Sequence, residues 1–590
     1  MSNNKLNFIV SGAKKFWKLD LSKCEVSNPL LELKYKEDLN NCFTRIKYFG
    51  NTRRTSQDLK NDSDYIDKKY KKYTKIFAER LNLIHDKNYS HFFWSKALSI
   101  GFLRQLNILY DHFKIYERYF DEEKHYVNIL SRKDFLVPID YEESRNIISD
   151  DSIGSEQVFS IYINLFYKAN IDKKISHQWD IRKSKKFKID HLNLILLKIK
   201  RFLLSKKKTL VVTGILGSYF SKQKKKKLIK INKGKIDEIF MYPKITKNDY
   251  INHKMRKKIS QKQDEFDSFD KFYFEAQKSL FPKFFLENFH KYERYISKKL
   301  ESYNELKFII SENWIIEPIN SLALALAKEN HGIIHINNEH NCFSHIYQGR
   351  YLEYIINLSD DFYNIGWESN NSKVIKSSSL YNFSIKKKKH KYEILFVSAP
   401  IQYKLKYYSF FEVYSQENAI FTIDFNNQFF ESLDDNLLKK IFYKKYPINY
   451  YIEKEKFYTK SFKKVNLSLP ASKFNALNLM SKSKLVIIDY VSTAYLESFI
   501  SNIPTVVFFN KSSTKLDKRY HDFFDVLIDS GIFQTNPVDA SKLIREIYKD
   551  PLNWWNSFKI KKSRELFIKK NIGRPKIFFD QISKITSENH

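Results

Sequence analysis

The chain has 590 residues, of which 43% are hydrophobic, and its formal net charge at pH 7 is +36. A chain of this length is too long for one hydrophobic core, so we expect two or more domains. No segment reaches the roughly 18 consecutive apolar residues of a membrane-spanning helix, and the 3 cysteines are too widely spaced for a disulfide framework. The first residues are too polar for a signal peptide, so a cytoplasmic location is expected.

The positive charge is compatible with several kinds of anionic partner. Lysine supplies most of it, alongside abundant asparagine, isoleucine, tyrosine and phenylalanine, a bias typical of an AT-rich genome. A basic surface suits nucleotide sugars, phospholipid headgroups or nucleic acid. No zinc-finger, RNP or helix-turn-helix signature accompanies the charge, so nucleic-acid binding is not the preferred interpretation.

The N-terminal part predicts a first strand over Lys5–Val10, and then two helices from residue 73 onward. A turn over His85–Tyr89 separates the helices, and Ser90 is a good N-cap for the second.

Two residues of this helical block are candidates for the acceptor side of an active site. His85 is either such a group or a structural residue of the turn, and the structural interpretation is preferred. Arg104, in the middle of the second helix, either meets a phosphate or a carboxylate or belongs to a solvated, salt-bridged face.

Leu192–Leu204 predicts a basic amphipathic helix, which either lies on an anionic membrane or packs on a sheet. We prefer packing because a predicted strand, Thr209–Thr213, follows directly. Gly214 and Gly217 come after that strand and would permit the close approach of a ligand.

A strand end near the middle of the chain carries a candidate general base. Trp314–Asn330 predicts a helix and Gly332–Ile336 a buried strand, with His340 beyond the strand's carboxyl end. A histidine there suits deprotonation of an acceptor hydroxyl, since its pKa lies near neutrality. His335 and His345 lie nearby and leave the choice of histidine open. A metal site of His335, His340 and His345 is the alternative, but no carboxylate or cysteine completes a standard geometry.

The second half predicts alternating strands and helices. Tyr354–Leu358 is a predicted strand, and Lys386–Lys389 is the best linker between domains. Strands are then predicted over Glu393–Val397 and Ala419–Asp424.

The stretch Lys484–Asn510 predicts a strand, a helix and a second parallel strand. Ligands sit beyond the carboxyl ends of such strands, so the helix start at Ser492 and Thr493 is a candidate phosphate site. Asp489 leaves the first strand at the same end, and the family resemblance described below implies a donor-binding role for it. Glu497 lies one turn after Thr493, on the same helix face, and is placed to reach a sugar hydroxyl. The alternative is an ordinary strand–helix–strand unit with a capped helix.

Several motifs resemble a family of transferases from bacterial O-antigen and surface-carbohydrate loci. The family pattern "D-x-x-ST-x-x-LE-x-x-x-x-NIPT" is matched by Asp489, Ser492, Thr493, Leu496, Glu497, Asn502, Ile503, Pro504 and Thr505. Its "LN-x-x-H-x-x-x-YS-x-x-x-W" signature is matched by Leu81, Asn82, His85, Tyr89, Ser90 and Trp94. A Trp-Trp pair near the end is matched by Trp554 and Trp555. The first motif is also similar to the nucleotide half-site of GT-B glycosyltransferases and, distantly, of CDP-glycerol glycerophosphotransferases.

The resemblance implies a GT-B-like α/β fold with two Rossmann-like lobes and a large helical insertion in the N-terminal half. It implies an acceptor-side lobe over residues 1–385 and a nucleotide-sugar lobe over 386–590. The implied activity is metal-independent and cofactor-free transfer of a sugar from a nucleotide-activated donor to a glycan or lipid-linked glycan, with His340 as catalytic base. A peripheral contact with the inner membrane face is compatible with it, and a non-catalytic scaffold of a carbohydrate-assembly complex is the alternative.

Overall fold

A computed structural model describes the following residues, and all structural statements refer to them: 5–18, 20–27, 31, 56–149, 152–177, 213–216, 226, 228–230, 232, 235–239, 241, 250–303, 305–312, 317–339, 351–378, 385–386, 388–398, 401–402, 419–445, 451–452, 454–467, 476–491, 493–511, 521–574 and 576–588.

A small parallel sheet lies at the N-terminal end of the chain. Its described strands, in the order β2-β1-β3-β4, are β1 (Leu6–Ile9), β2 (Cys24–Val26), β3 (His125–Leu130) and β4 (Ile171–Ile175). The predicted first strand is confirmed, but the sheet that it joins was not predicted. The strands that complete it lie far along the chain or span only a few residues, which leaves little periodicity to detect.

A block of helices follows in the N-terminal half. Its described members are α1 (Ser56–His85), α2 (His91–Tyr119), α3 (Tyr141–Ile148), α4 (Ile153–Phe166), α5 (His253–Ile259), α6 (Ser268–Leu280), α7 (Phe289–Glu301) and α8 (Pro318–His331). The Ser90 hydroxyl accepts the Phe93 N–H and caps α2, as the sequence predicts.

The second described sheet is parallel and follows the order β10-β9-β8-β7-β5-β6. Its strands are β5 (Thr213–Leu216), β6 (Ile236–Ile239), β7 (Phe308–Glu312), β8 (Ile334–Asn338), β9 (Asp361–Tyr363) and β10 (Val374–Ile375).

Two expectations in this region are wrong. Gly214 lies inside β5 rather than after it. Tyr354–Leu358 is not a strand, because residues 351–357 form helix α9 (Tyr351–Asn357). A short apolar run fits a buried strand and a buried helix turn equally well, and here the surrounding packing decided for the helix. The predicted helix Leu192–Leu204 lies outside the described residues.

The third described sheet, also parallel, has the order β15-β13-β11-β16-β17-β18. Its strands are β11 (Tyr392–Val397), β13 (Ile441–Lys444), β15 (Asn466–Leu467), β16 (Ser483–Ile488), β17 (Thr505–Phe508) and β18 (Phe533–Gln534). A separate antiparallel pair is formed by β12 (Ile401–Gln402) and β14 (Tyr451–Ile452). The described helices of this part are α10 (Ala419–Glu431), α11 (Asp435–Lys440), α12 (Ala476–Met480), α13 (Thr493–Ile500), α14 (His521–Asp529), α15 (Pro537–Ile547), α16 (Pro551–Asn556), α17 (Phe558–Asn571) and α18 (Lys576–Glu588).

The strand–helix–strand prediction for Lys484–Asn510 is confirmed by β16, α13 and β17, whose strands pair in parallel. The strand predicted over Ala419–Asp424 is wrong, since this run is the first part of α10. Its apolar face, with Ile423, Phe429 and Phe430, packs under the sheet.

The two larger sheets are joined in two ways. They share one apolar cluster, and the C-terminal helix of the chain packs on the second described sheet. One apolar cluster includes side chains from α2, from β7 and from one face of the β11–β16 pair. Phe578 and Ile582 of α18 pack with Ile310 and Ile336, so the last helix lies on the second described sheet, which contains β7 and β8. The predicted α/β fold, with two Rossmann-like parallel sheets and a large helical block in the N-terminal half, is confirmed. The domain boundary at residue 385 stays a prediction.

Among the described helices, none is both long enough and apolar enough to span a lipid bilayer.

Candidate functional site

Three neighbouring strands of the C-terminal sheet end side by side at one edge. Val397 of β11 is in register with Lys444 of β13 and with Ile488 of β16. The residues at or just beyond these strand ends therefore lie close together: Ser398, Lys444 and Asp489. The carboxyl edge of a parallel sheet is where ligands bind in open α/β folds.

Asp489 connects the elements at this edge through buried hydrogen bonds. Its side chain is buried, and its Oδ2 accepts hydrogen bonds from Ser398 Oγ and from Asn426 Nδ2, each at 2.8 Å. The Asn426 amide also donates to the Tyr458 hydroxyl at 2.8 Å. Asp489 thus ties the ends of β11 and β16 to α10. This placement favours a role in shaping the edge over direct contact with a ligand.

Helix α13 begins at the same edge. Its first residue, Thr493, is half-buried, while Ser492 lies outside the described residues. Tyr495, Leu496 and Phe499 are buried and anchor the helix on the sheet. The first turn of a helix leaves backbone N–H groups without intrahelical partners, and its positive dipole end favours an anion.

Glu497 lies one turn further along α13 and is half-buried. Burial raises its pKa to about 7, and the positive charge of Lys444 opposes this rise. Burial likewise lowers the pKa of Lys444, with Glu497 acting in the other direction. Among the described residues, no hydrogen bond to the Glu497 carboxylate is present, so it is able to accept one from a bound hydroxyl.

The second described sheet presents a comparable strand end at β8. His340 lies just outside the described residues, but Glu339 beside it is buried. Glu339 Oε2 accepts hydrogen bonds from the Trp367 indole at 2.8 Å and from the Ile365 N–H at 3.2 Å. Sequence reasoning missed this pairing, although an acidic residue beyond a predicted strand end was a usable signal.

His335 is part of a buried polar chain between the helical block and the sheet. Its Nδ1 lies 3.1 Å from Lys96 Nζ, and its Nε2 lies 2.6 Å from Ser311 Oγ. Both ring nitrogens therefore contact protein groups, which argues against the alternative of a metal ligand. His340 and His345 lie outside the described residues.

The two acceptor-side candidates are both buried. His85 Nε2 lies 2.9 Å from the Phe285 carbonyl oxygen, and its ring stacks on Phe289 with centroids 4.5 Å apart. Burial lowers the pKa of His85 to about 4. Arg104 is buried inside α2 and does not lie on a solvated face. The position of His85 favours the structural interpretation.

Other signature residues close the turn between α1 and α2. Asn82 Oδ1 accepts the Trp94 indole N–H at 2.8 Å and the Tyr89 N–H at 3.1 Å, while Asn82 Nδ2 donates to the Tyr89 carbonyl at 2.8 Å. This motif therefore holds a helical hairpin together.

The described residues place the start of α13, the half-buried Glu497 and the buried Asp489 at the carboxyl edge of a parallel sheet. Parallel α/β proteins bind small ligands at this edge. Residues 6–575 match the family model described as "LIC12162 family transferase". The chain belongs to this family and is a transferase.

No curated protein matches the chain. Among solved structures, the wall teichoic acid polymerase TagF is 12% identical, with a TM-score of 0.32, covering 68% of this chain and 100% of that one. The glycosyltransferase SnogD from Streptomyces nogalater is 7% identical, with a TM-score of 0.33, covering 64% of this chain and 100% of that one. Likeness at this level assigns no substrate.

Proposed function

We propose that this transferase moves a sugar from a nucleotide-activated donor to a glycan or lipid-linked glycan acceptor of a surface polysaccharide, such as O-antigen or capsule. The observation that carries the proposal is the carboxyl edge of the C-terminal sheet. There the start of α13 meets the buried Asp489 network, and the Glu497 carboxylate has no described hydrogen-bond partner.

The donor is assigned to residues 386–590. The backbone N–H groups at the start of α13, with the hydroxyls of Ser492 and Thr493, bind the donor phosphate. Glu497 accepts a hydrogen bond from a ribose or sugar hydroxyl. Asp489 supports the donor site by holding Ser398 and Asn426 in place.

In the transfer step, an acceptor hydroxyl oxygen attacks the anomeric carbon of the donor sugar. The bond between that carbon and the phosphate oxygen breaks, and the nucleotide leaves with the electron pair. The positive end of α13 stabilises the developing negative charge, so this step uses neither a metal ion nor a cofactor. His340, in the acceptor-side residues 1–385, takes the proton from the acceptor hydroxyl.

A screen of nucleotide sugars tests the proposal directly. The purified protein is heated with each candidate in turn, and the shift in its melting temperature is measured together with hydrolysis of the donor. One nucleotide class should stabilise the protein, and the matching sugar nucleotide should be hydrolysed slowly.

The same screen separates the alternatives. A non-catalytic scaffold would be stabilised by no nucleotide. A nucleic-acid binder would instead show an affinity for DNA or RNA that falls steeply with salt concentration. We also propose that the enzyme works in the cytoplasm, with peripheral contact to the inner membrane face where lipid-linked acceptors are found.

A further inference from the structure

Helix α17 has one buried face and one strongly basic exposed face. The buried face carries Ile560, Arg564, Phe567 and Asn571. Phe567 packs against Tyr495 and Phe499 of α13, with ring centroids 6.0 and 6.2 Å apart. The buried side of α17 is therefore fixed directly on the helix that begins at the proposed donor site.

The exposed face carries a stripe of alternating apolar and basic side chains. Phe558 is 80% exposed and Leu566 is 38% exposed. With Lys562 and Lys569 they follow the spacing i, i+4, i+8 and i+11, which places all of them on one side of the helix. Lys562 Nζ lies 5.6 Å from the centroid of the Phe558 ring.

The exposed surface of α17 around this stripe is predominantly positive. The exposed charged residues of α17 are five lysines and a single glutamate: Lys559, Lys561, Lys562, Lys569, Lys570 and Glu565. A phenylalanine that stays 80% exposed on a folded protein carries an unfavourable hydration cost, which is removed when the ring leaves water.

We propose that this stripe of α17, formed by Phe558, Lys562, Leu566 and Lys569, binds the surface of an anionic lipid bilayer. The lysine ammonium groups pair with lipid phosphates, while the phenyl and leucyl side chains enter the boundary between headgroups and acyl chains. Leu566 within the stripe favours a bilayer over nucleic acid, because an aliphatic side chain gains little from stacking with bases.

The proposal deepens the membrane contact proposed above by naming the surface that makes it, and it does not depend on sugar transfer. If both hold, one helix links the bilayer to α13, the helix that begins at the proposed donor site. Binding to vesicles is measured without any nucleotide or acceptor, so its failure and the failure of the proposed transfer reaction are separate results.

The experiment is sedimentation of the full-length protein with vesicles of phosphatidylcholine, alone or with an equal amount of phosphatidylglycerol. Wild-type protein should bind the anionic vesicles only. Phe558→Ala should weaken binding at least about threefold. The double substitution Lys562→Glu/Lys569→Glu should weaken it roughly twentyfold or more, because each lysine contributes appreciably near an anionic surface.

Matched controls use exposed residues of the helical block. Leu83, which is 72% exposed on α1, controls for loss of an exposed apolar side chain through Leu83→Ala. Lys257→Glu/Lys258→Glu on α5 makes the same change of net charge. Both controls should bind vesicles like the wild type.

Three outcomes would overturn the proposal. The first is equal binding of wild type and Lys562→Glu/Lys569→Glu. The second is equal weakening by the α5 control, which would mean that only net charge matters. The third is tighter binding to a single-stranded oligonucleotide than to anionic vesicles, lost in the α17 double variant but unchanged in Phe558→Ala.

Discussion

The indole N–H of Trp555 donates a hydrogen bond to Asn502 Oδ1 at 2.9 Å, which ties α16 to the turn that follows α13. Asn502 has a positive φ of 53°, a backbone conformation that asparagine and glycine adopt at low cost. Trp555 is fully buried. The family motif that contains Asn502 therefore contacts the Trp-Trp pair near the end of the chain. This contact supports the C-terminal end of the proposed donor helix, α13.

This contact predicts a graded loss of stability at position 502. Asn502→Ala loses the hydrogen bond and strains the backbone, so it should lower the free energy of unfolding by about 2–3 kcal/mol. Asn502→Gly keeps the backbone conformation and should cost about 1 kcal/mol. Urea unfolding measures both, and equal effects of the two substitutions would contradict the role of the positive φ.

Glu497 should control donor affinity in a pH-dependent way. Glu497→Ala should weaken binding of the donor nucleotide sugar by roughly tenfold and leave the fold intact. Because burial raises the Glu497 pKa to about 7, the carboxylate that accepts the donor hydroxyl forms as pH rises through 7. Wild-type affinity should therefore increase from pH 6 to pH 8, whereas that of Glu497→Gln should stay level.

Isothermal titration calorimetry at each pH measures these affinities. Glu546→Gln, an exposed substitution on α15 of the same lobe, is the matched control and should bind like the wild type. Unchanged nucleotide affinity in Glu497→Ala would remove Glu497 from the donor site.

His340 should affect turnover and not donor binding. His340→Ala is expected to lower kcat by roughly a hundredfold or more, since a general base contributes about that much, with little change in nucleotide affinity. His345→Ala is the comparison and should keep most of the activity. Full activity of His340→Ala in a steady-state assay would exclude it as the base.

His112 should make stability depend on pH. Its Nε2–H donates to the Ile148 carbonyl at 2.6 Å, its Nδ1 accepts the Tyr116 hydroxyl proton at 2.8 Å, and burial lowers its pKa to about 4. The folded state therefore favours neutral His112. Its contribution to stability is complete above the ordinary pKa of about 6.5 and is lost as pH falls toward 4.

Between pH 7 and pH 5 the free energy of unfolding of the wild type should fall by about 2 kcal/mol relative to that of His112→Gln, which has no titrating group at this position. Urea unfolding at both pH values measures the difference. His331→Gln changes an exposed histidine and should show the same pH dependence as the wild type. Parallel pH profiles for wild type and His112→Gln would show that His112 does not drive the effect.

Gly573 should tolerate no side chain. It lies where the end of the chain returns to the second described sheet, close to the ends of β9 and β10. Its N–H donates to the Ile365 carbonyl at 2.6 Å, and an added Cβ would lie 1.8 Å from the Ser377 carbonyl oxygen. Gly573→Ala should therefore lower the free energy of unfolding by about 3 kcal/mol or more.

Gly332→Ala is the matched comparison for Gly573→Ala. An added Cβ at Gly332 meets no atom within 4 Å, so only the positive φ of 63° opposes the change, at about 1 kcal/mol. Thermal unfolding ranks the two variants, and equal melting temperatures would contradict the close approach at Gly573.

The sequence predicted the parts of the fold that local pattern specifies. The β16–α13–β17 unit has an apolar run, a break and a second apolar run within one short stretch, and Ser90 marks a helix start by its own hydroxyl. The short runs at residues 354–358 and 419–424 were misassigned, since a few apolar residues suit either a strand or a helix.

The residues of the candidate site likewise fall into those that the local sequence predicted and those that it missed. Thr493 and Glu497 were proposed from their spacing in the strand–helix–strand unit, and Asp489 from the family motif. The structure places all three at the end of β16 and in the helix that follows it. Lys444, Ser398 and Asn426 were missed, since each reaches the same edge from a distant part of the chain.

By itself the sequence determined the family, the parallel α/β architecture and the helix that begins beside Asp489. Only the tertiary structure decided that Asn82, Trp94, Asn502 and Trp555 hold elements together, and that Phe558 stays in water on a basic face. Periodicity is a property of neighbours along the chain, whereas burial and hydrogen-bond partners depend on segments that fold against each other from far apart.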